Sequence, residues 1–103
     1  MSYGRLAAAL AKAGRMPEAA DMLRDMQERQ RKGETFWVPI AFTAVALGKP
    51  DLALQSLERA VIKRDAILYE YAFDPIFDPI RSDPRFVALW RSMGLPPESP
   101  DWR

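Results

Sequence analysis

The chain has 103 residues, 49% of them hydrophobic, enough for one domain with a modest core. Its 15 basic and 14 acidic residues leave a formal net charge of +1, so composition provides no electrostatic footprint for nucleic acid and no polybasic membrane anchor. Cysteine and histidine are both absent, which excludes disulfides, thiol nucleophiles, thiolate metal sites and imidazole general bases. No run of 18 apolar residues occurs, and we expect a soluble cytoplasmic protein that makes no membrane contact.

In chain order, Tyr3, Leu6, Ala7 and Leu10 recur at helical spacing and predict a first helix that Gly14 ends. Pro17 marks the first turn of the next helix, whose buried stripe is Ala19, Met22, Leu23 and Met26. Its other face carries Asp21/Arg24, Asp25/Arg29 and Glu28/Lys32, opposite charges three or four residues apart. Trp37, Ile40, Ala41, Ala44 and Leu47 predict a third helix, with Thr35 as a cap upstream and Pro39 in its first turn. Gly48 closes that helix. Pro50 opens a fourth, with the stripe Ala53, Leu54, Leu57, Ala60 and Val61.

These segments are copies. A shift of 34 residues carries Tyr3 onto Trp37, Leu6 onto Ile40, Ala7 onto Ala41, Gly14 onto Gly48, Ala19 onto Ala53, Leu23 onto Leu57 and Met26 onto Ala60. Glycine keeps glycine, and every other pair stays apolar, so two helical hairpins in tandem are expected, over about residues 2–34 and 36–65.

Beyond Asp65, residues 66–71 predict a short helix. A local duplication follows, Phe73-Asp74-Pro75-Ile76 then Phe77-Asp78-Pro79-Ile80. Asp-Pro pairs start turns, and Phe73, Ile76, Phe77 and Ile80 are expected to point inward. Asp83-Pro84 reads as the cap and first position of a last helix that buries Phe86, Leu89, Trp90 and Met93 before Gly94. Residues 66–95 thus form a capping segment of a domain over 1–95. Residues 96–103, with Pro96, Pro97 and Pro100, form a flexible proline-rich end.

The paired residues Tyr3/Trp37, Leu6/Ile40, Ala7/Ala41, Gly14/Gly48, Ala19/Ala53 and Leu23/Leu57 resemble the tetratricopeptide repeat family. The run from Phe77 to Phe86 resembles the C-terminal ends of bacterial proteins of that family. The fold class implied is all-α, a solenoid of two helix-turn-helix repeats with a C-terminal capping helix. The resemblance also implies a concave face lined by the first helix of each hairpin. Some family members grip a peptide carboxylate there with lysine and asparagine. Those positions here are Gly4, Ala8, Pro39 and Phe42, so the clamp is absent.

What the face offers instead is an apolar strip. Ala8, Ala11, Val38, Phe42 and Val45 are the candidate partner-binding residues, with Gly4 beside them. Two occupants are weighed equally, a protein or peptide partner and the chain's own tail through Phe73 and Phe77. The expected function is non-enzymatic protein–protein interaction, without cofactor, metal or catalytic residue. The alternative is a regulatory segment of a larger bacterial cyclase, kinase or transcription regulator. The uncovered face of the first helix further suggests a symmetric homodimer or docking of that face on an upstream domain.

Two sharper readings are disfavoured. Asp74, Asp78 and Asp83 form a carboxylate cluster, but each precedes a proline or serves a cap, so turn duty is preferred over metal binding. The stretch from Lys12 to Ala19 also resembles a pentatricopeptide repeat, an RNA reader. Its base-reading position is Gly4 or Arg5, and the second unit lacks the pattern, so no nucleic-acid partner is expected.

Overall fold

A computed structural model describes residues 3–94. It has six α-helices and one 3₁₀ segment, with no strand among the described residues. The helices are α1 (Tyr3–Lys12), α2 (Met16–Arg31), α3 (Trp37–Ala46), α4 (Pro50–Ile62), α5 (Ala66–Tyr71) and α6 (Pro84–Ser92). The 3₁₀ segment, Pro75–Ile80, lies between α5 and α6. The proline-rich end expected over 96–103 lies outside the described residues.

Local chemistry sets these bounds. Gly14 and Gly48 take φ of +84° and +72° just after α1 and α3, a region closed to most side chains, and each lets the chain turn into the next helix. Proline sits in the first turn of α2, α4 and α6, where a missing N–H breaks no helical bond. The carboxylates of Asp65, Asp74 and Asp83 accept from the N–H of Ile67, Ile76 and Arg85, and so start α5, the 3₁₀ segment and α6. The pairs Arg24–Asp21, Arg29–Asp25 and Lys32–Glu28 all form on the solvated face of α2.

Thr35 does not cap α3. The residue preceding that helix is Phe36, and its N–H donates 2.9 Å to the Oε1 of Gln30 on α2. No side chain caps α3, and the Gln30 amide instead ties the residue before the helix back to α2.

Helix α3 is the centre of the molecule. It packs against α1, α2, α4 and the 3₁₀ segment, while α4 also meets α5 and α6. Six of the seven residues from Val38 to Ala44 on α3, all but Pro39, are buried, so this helix is enclosed nearly all round. By contrast Leu6 on α1, expected in a buried stripe, is exposed; Ala7 alone of that stripe is fully buried, with Tyr3 and Leu10 half-buried. The approach of α1 to α3 is close enough that a Cβ on Gly4 would lie 2.7 Å from Pro39. Glycine is required here by contact rather than by backbone angle.

Two apolar clusters result. The smaller joins Ala7, Leu23, Met26 and Ile40 between α1, α2 and α3. The larger runs from Val38, Phe42 and Leu54 to Leu57, Phe77, Phe86 and Trp90, uniting α3 and α4 with α5, the 3₁₀ segment and α6. Aromatic rings mark its course. Phe42 meets Tyr71 at 5.2 Å and Phe77 at 5.1 Å, and Phe77 leads through Phe86 to Trp90 at 6.3 and 6.0 Å. Phe77 and Ile80 point inward as expected. Phe73 does not, being 40% exposed and set edge-on against Trp90 at 4.9 Å.

Candidate functional site

The five apolar positions singled out from the sequence lie together on the α1–α3 side, but they are not an open strip. Ala8, Ala11, Val38 and Phe42 are buried, Phe42 to 2% exposure, and Val45 is half-buried. Of the two occupants weighed, the chain's own tail is the one in place. The rings of Phe77 and Tyr71 both lie against Phe42.

Charge fastens this cover. Arg5 on α1 reaches Asp74 at 2.5 Å, with its guanidinium 4.8 Å from the Tyr71 ring centroid and 5.4 Å from that of Phe42. Burial opposes ionisation of Asp74, but the Ile76 N–H and then the Arg5 guanidinium outweigh it and hold the carboxyl below its ordinary range. A second cation works from within. Arg81 is 5% exposed. Its guanidinium donates to the Asp78 carboxylate and to the carbonyls of Ala72 and Asp74, at 2.7, 3.1 and 2.8 Å. It thus ties the end of α5 to the 3₁₀ segment while lying near the rings of Phe86 and Trp90. Arg81 lies in the run from Phe77 to Phe86 singled out in the sequence, where no role is assigned to it. Its position three residues after Asp78 was the available signal.

What remains open on this side is a cleft of about 150 Å³ that Ala8 and Phe42 line along with Arg5, Lys12, Asp74 and Ile76.

A larger groove, of about 340 Å³, lies between α2 and α4. Trp37, Ile40 and Leu52 form its apolar lining. Gln27, Gln30 and Arg31 come from α2, and Gln55, Ser56 and Arg59 from α4. Each set sits at spacings of three and four on its helix, beside the buried stripe. That is the signal the sequence held, and attention to apolar strips passes over it. No carboxylate lines the groove. Arg31 is paired with Glu28 at its edge, and this holds the Glu28 carboxyl below the usual range. The groove continues past Gln30 and Trp37 into a wider depression with Glu34, Lys63 and Asp65.

Asp74, Asp78 and Asp83 are engaged in caps and arginine pairs as described above, and among the described residues no group of three ligating side chains is placed to hold a metal. No described helix is long and apolar enough to cross a membrane. Searches of protein-family models, curated proteins and solved structures return no match to this chain.

Proposed function

We propose that the chain is a cytoplasmic, non-enzymatic protein–protein interaction module, a pair of tetratricopeptide-type hairpins closed by its own C-terminal segment. Helix bounds support the repeat reading. Tyr3–Lys12 and Trp37–Ala46 begin and end 34 residues apart, and Met16 and Pro50, which open α2 and α4, keep the same interval. Later bounds drift, since α4 stops three residues short of that register, where the chain turns through Arg64 at φ 53°.

The observation that carries the functional reading is the α2–α4 groove. It has an apolar floor and polar walls, and the described residues do not fill it with their own side chains as they fill the α1–α3 side. Chemistry in the groove has no base to work with. Ser56 shares it with amides and guanidiniums, which accept no proton at neutral pH. Binding is what such a set of donors and apolar surface can do.

A nitrogen-15 spectrum of the full chain titrated with a pool of random decapeptides tests this reading. Shifts at the Gln27 and Gln55 side-chain amides and the Trp37 indole N–H are the expected result. Shifts confined to residues around Ala8 and Lys12, or none at all, contradict it.

A further inference from the structure

The groove between α2 and α4 also specifies the character of its occupant, if it is the docking surface proposed above. We propose that it binds an extended, acidic segment of a partner protein, with carboxylates on Arg31 and Arg59 and an apolar side chain on Trp37.

Three observations converge. First, the lining holds no carboxylate and two guanidiniums, of which Arg31 is paired with Glu28 at the edge and Arg59 makes no ion pair among the described residues. A guanidinium presents a planar fork of donors that matches a carboxylate, so the imbalance selects negative charge.

Second, Ser56 is 5% exposed, lines the groove, and has no hydrogen bond among the described residues. Thr43, the comparable buried hydroxyl on α3, donates to the Pro39 carbonyl at 2.9 Å. A buried hydroxyl without a partner is costly, and a ligand atom in the groove would satisfy this one.

Third, the walls are amides. Gln27 and Gln55 each offer donors and an acceptor, and Gln30, whose Oε1 serves Phe36, keeps its NH₂. Amides recognise exposed backbone, which an extended peptide presents and a helix conceals. A nucleic acid fits less well. Trp37 offers a ring for a base, but the groove supplies only two cations, one of them already paired with Glu28, and the chain as a whole is near neutral.

The test uses the nitrogen-15 labelled full chain and four probes. Three are decapeptide pools with a central leucine, flanked at random by Asp/Glu, by Lys/Arg or by Ser/Gln. The fourth is a decauridylate. The acidic pool is expected to move the Gln27, Gln55 and Trp37 signals and to bind at least tenfold tighter than the neutral pool, with the basic pool weakest. Arg59→Glu should invert the order of the acidic and basic pools, and Arg31→Glu should weaken the acidic pool alone, each in a protein whose remaining spectrum is unchanged. If the neutral pool binds at the same signals as tightly as the acidic one, the docking reading survives and the acidic assignment is overturned. If no pool moves those signals, both are overturned. Stronger shifts from the decauridylate than from the acidic pool overturn the peptide assignment in favour of RNA.

Discussion

The two sides of the helical layer met different fates. On the α1–α3 side the surface is made of small and aromatic residues, and the tail has closed over it. On the α2–α4 side the surface alternates apolar floor with amide and guanidinium wall, and nothing in the described chain covers it. The difference follows from what each surface gains by burial. Apolar area is buried at roughly 25 cal/mol per Å² without needing a specific mate, so any apolar segment within reach suffices. A groove of amides and guanidiniums gains little unless every donor is matched, which demands a particular ligand. The side most readily read as a docking face is therefore core, and a charge placed at Phe42 would report folding rather than binding.

Substitutions on the two sides should separate these roles. The largest effect is expected from Phe77→Ala, which leaves a cavity beside Phe42 and should cost about 4 kcal/mol in denaturant unfolding. Arg59→Glu, in the open groove, should cost under about 0.5 kcal/mol in the same measurement. Arg81→Met comes next. It strands the carbonyls of Ala72 and Asp74 without their donor, and about 3 kcal/mol is expected. Gly4→Ala tests the fit of α1 on α3. The added methyl meets Pro39 backbone and ring at 2.7 Å, so the helices must separate, at about 2 kcal/mol.

A smaller effect within the core side sharpens the comparison through pH. Asp74 has its folded pKa depressed, so its contribution is present above the unfolded carboxylate value and is lost as pH falls through the lower folded value. Arg5 stays charged throughout. Asp74→Asn should therefore destabilise by about 1 kcal/mol at pH 7, discounted because Arg5 is substantially exposed, and the gap from the unmodified chain should close as unfolding is measured below about pH 4. A gap constant from pH 7 to pH 2.5 would mean that the Arg5–Asp74 pair fastens nothing.

Much of the fold was legible because its signals are local. Gly14 and Gly48, the helix-opening prolines and the Asp65, Asp74 and Asp83 starts each act within one turn of chain, and residues 66–71 form the short helix expected of them. The burial of Phe86 and Trp90 followed from spacing alone. What escaped depends on contacts between distant segments. The exposure of Leu6 and Phe73 reflects which neighbours reach them, and the bond from the Phe36 N–H to Gln30, with α3 left uncapped by Thr35, reflects the path of the α2–α3 turn. The two readings of the apolar strip could not be ranked from sequence, since periodicity fixes which face a residue takes and says nothing about what covers it. The α2–α4 groove was harder still. Its walls come from helices that approach without packing, and a list of polar residues on two separate helices becomes a site only in space.

The central claim is that the segment after α4 is a permanent wall of the core and not a removable cover over a docking face. Native-state hydrogen exchange on the full chain tests it most directly. The amides of Phe77, Ile80 and Trp90 should exchange with the same free energy as those at the centre of α3 and α4, through global unfolding. Exchange of the tail amides at a free energy several kcal/mol lower, with α3 and α4 still protected, would contradict the account and return the Phe42 side to the list of binding surfaces.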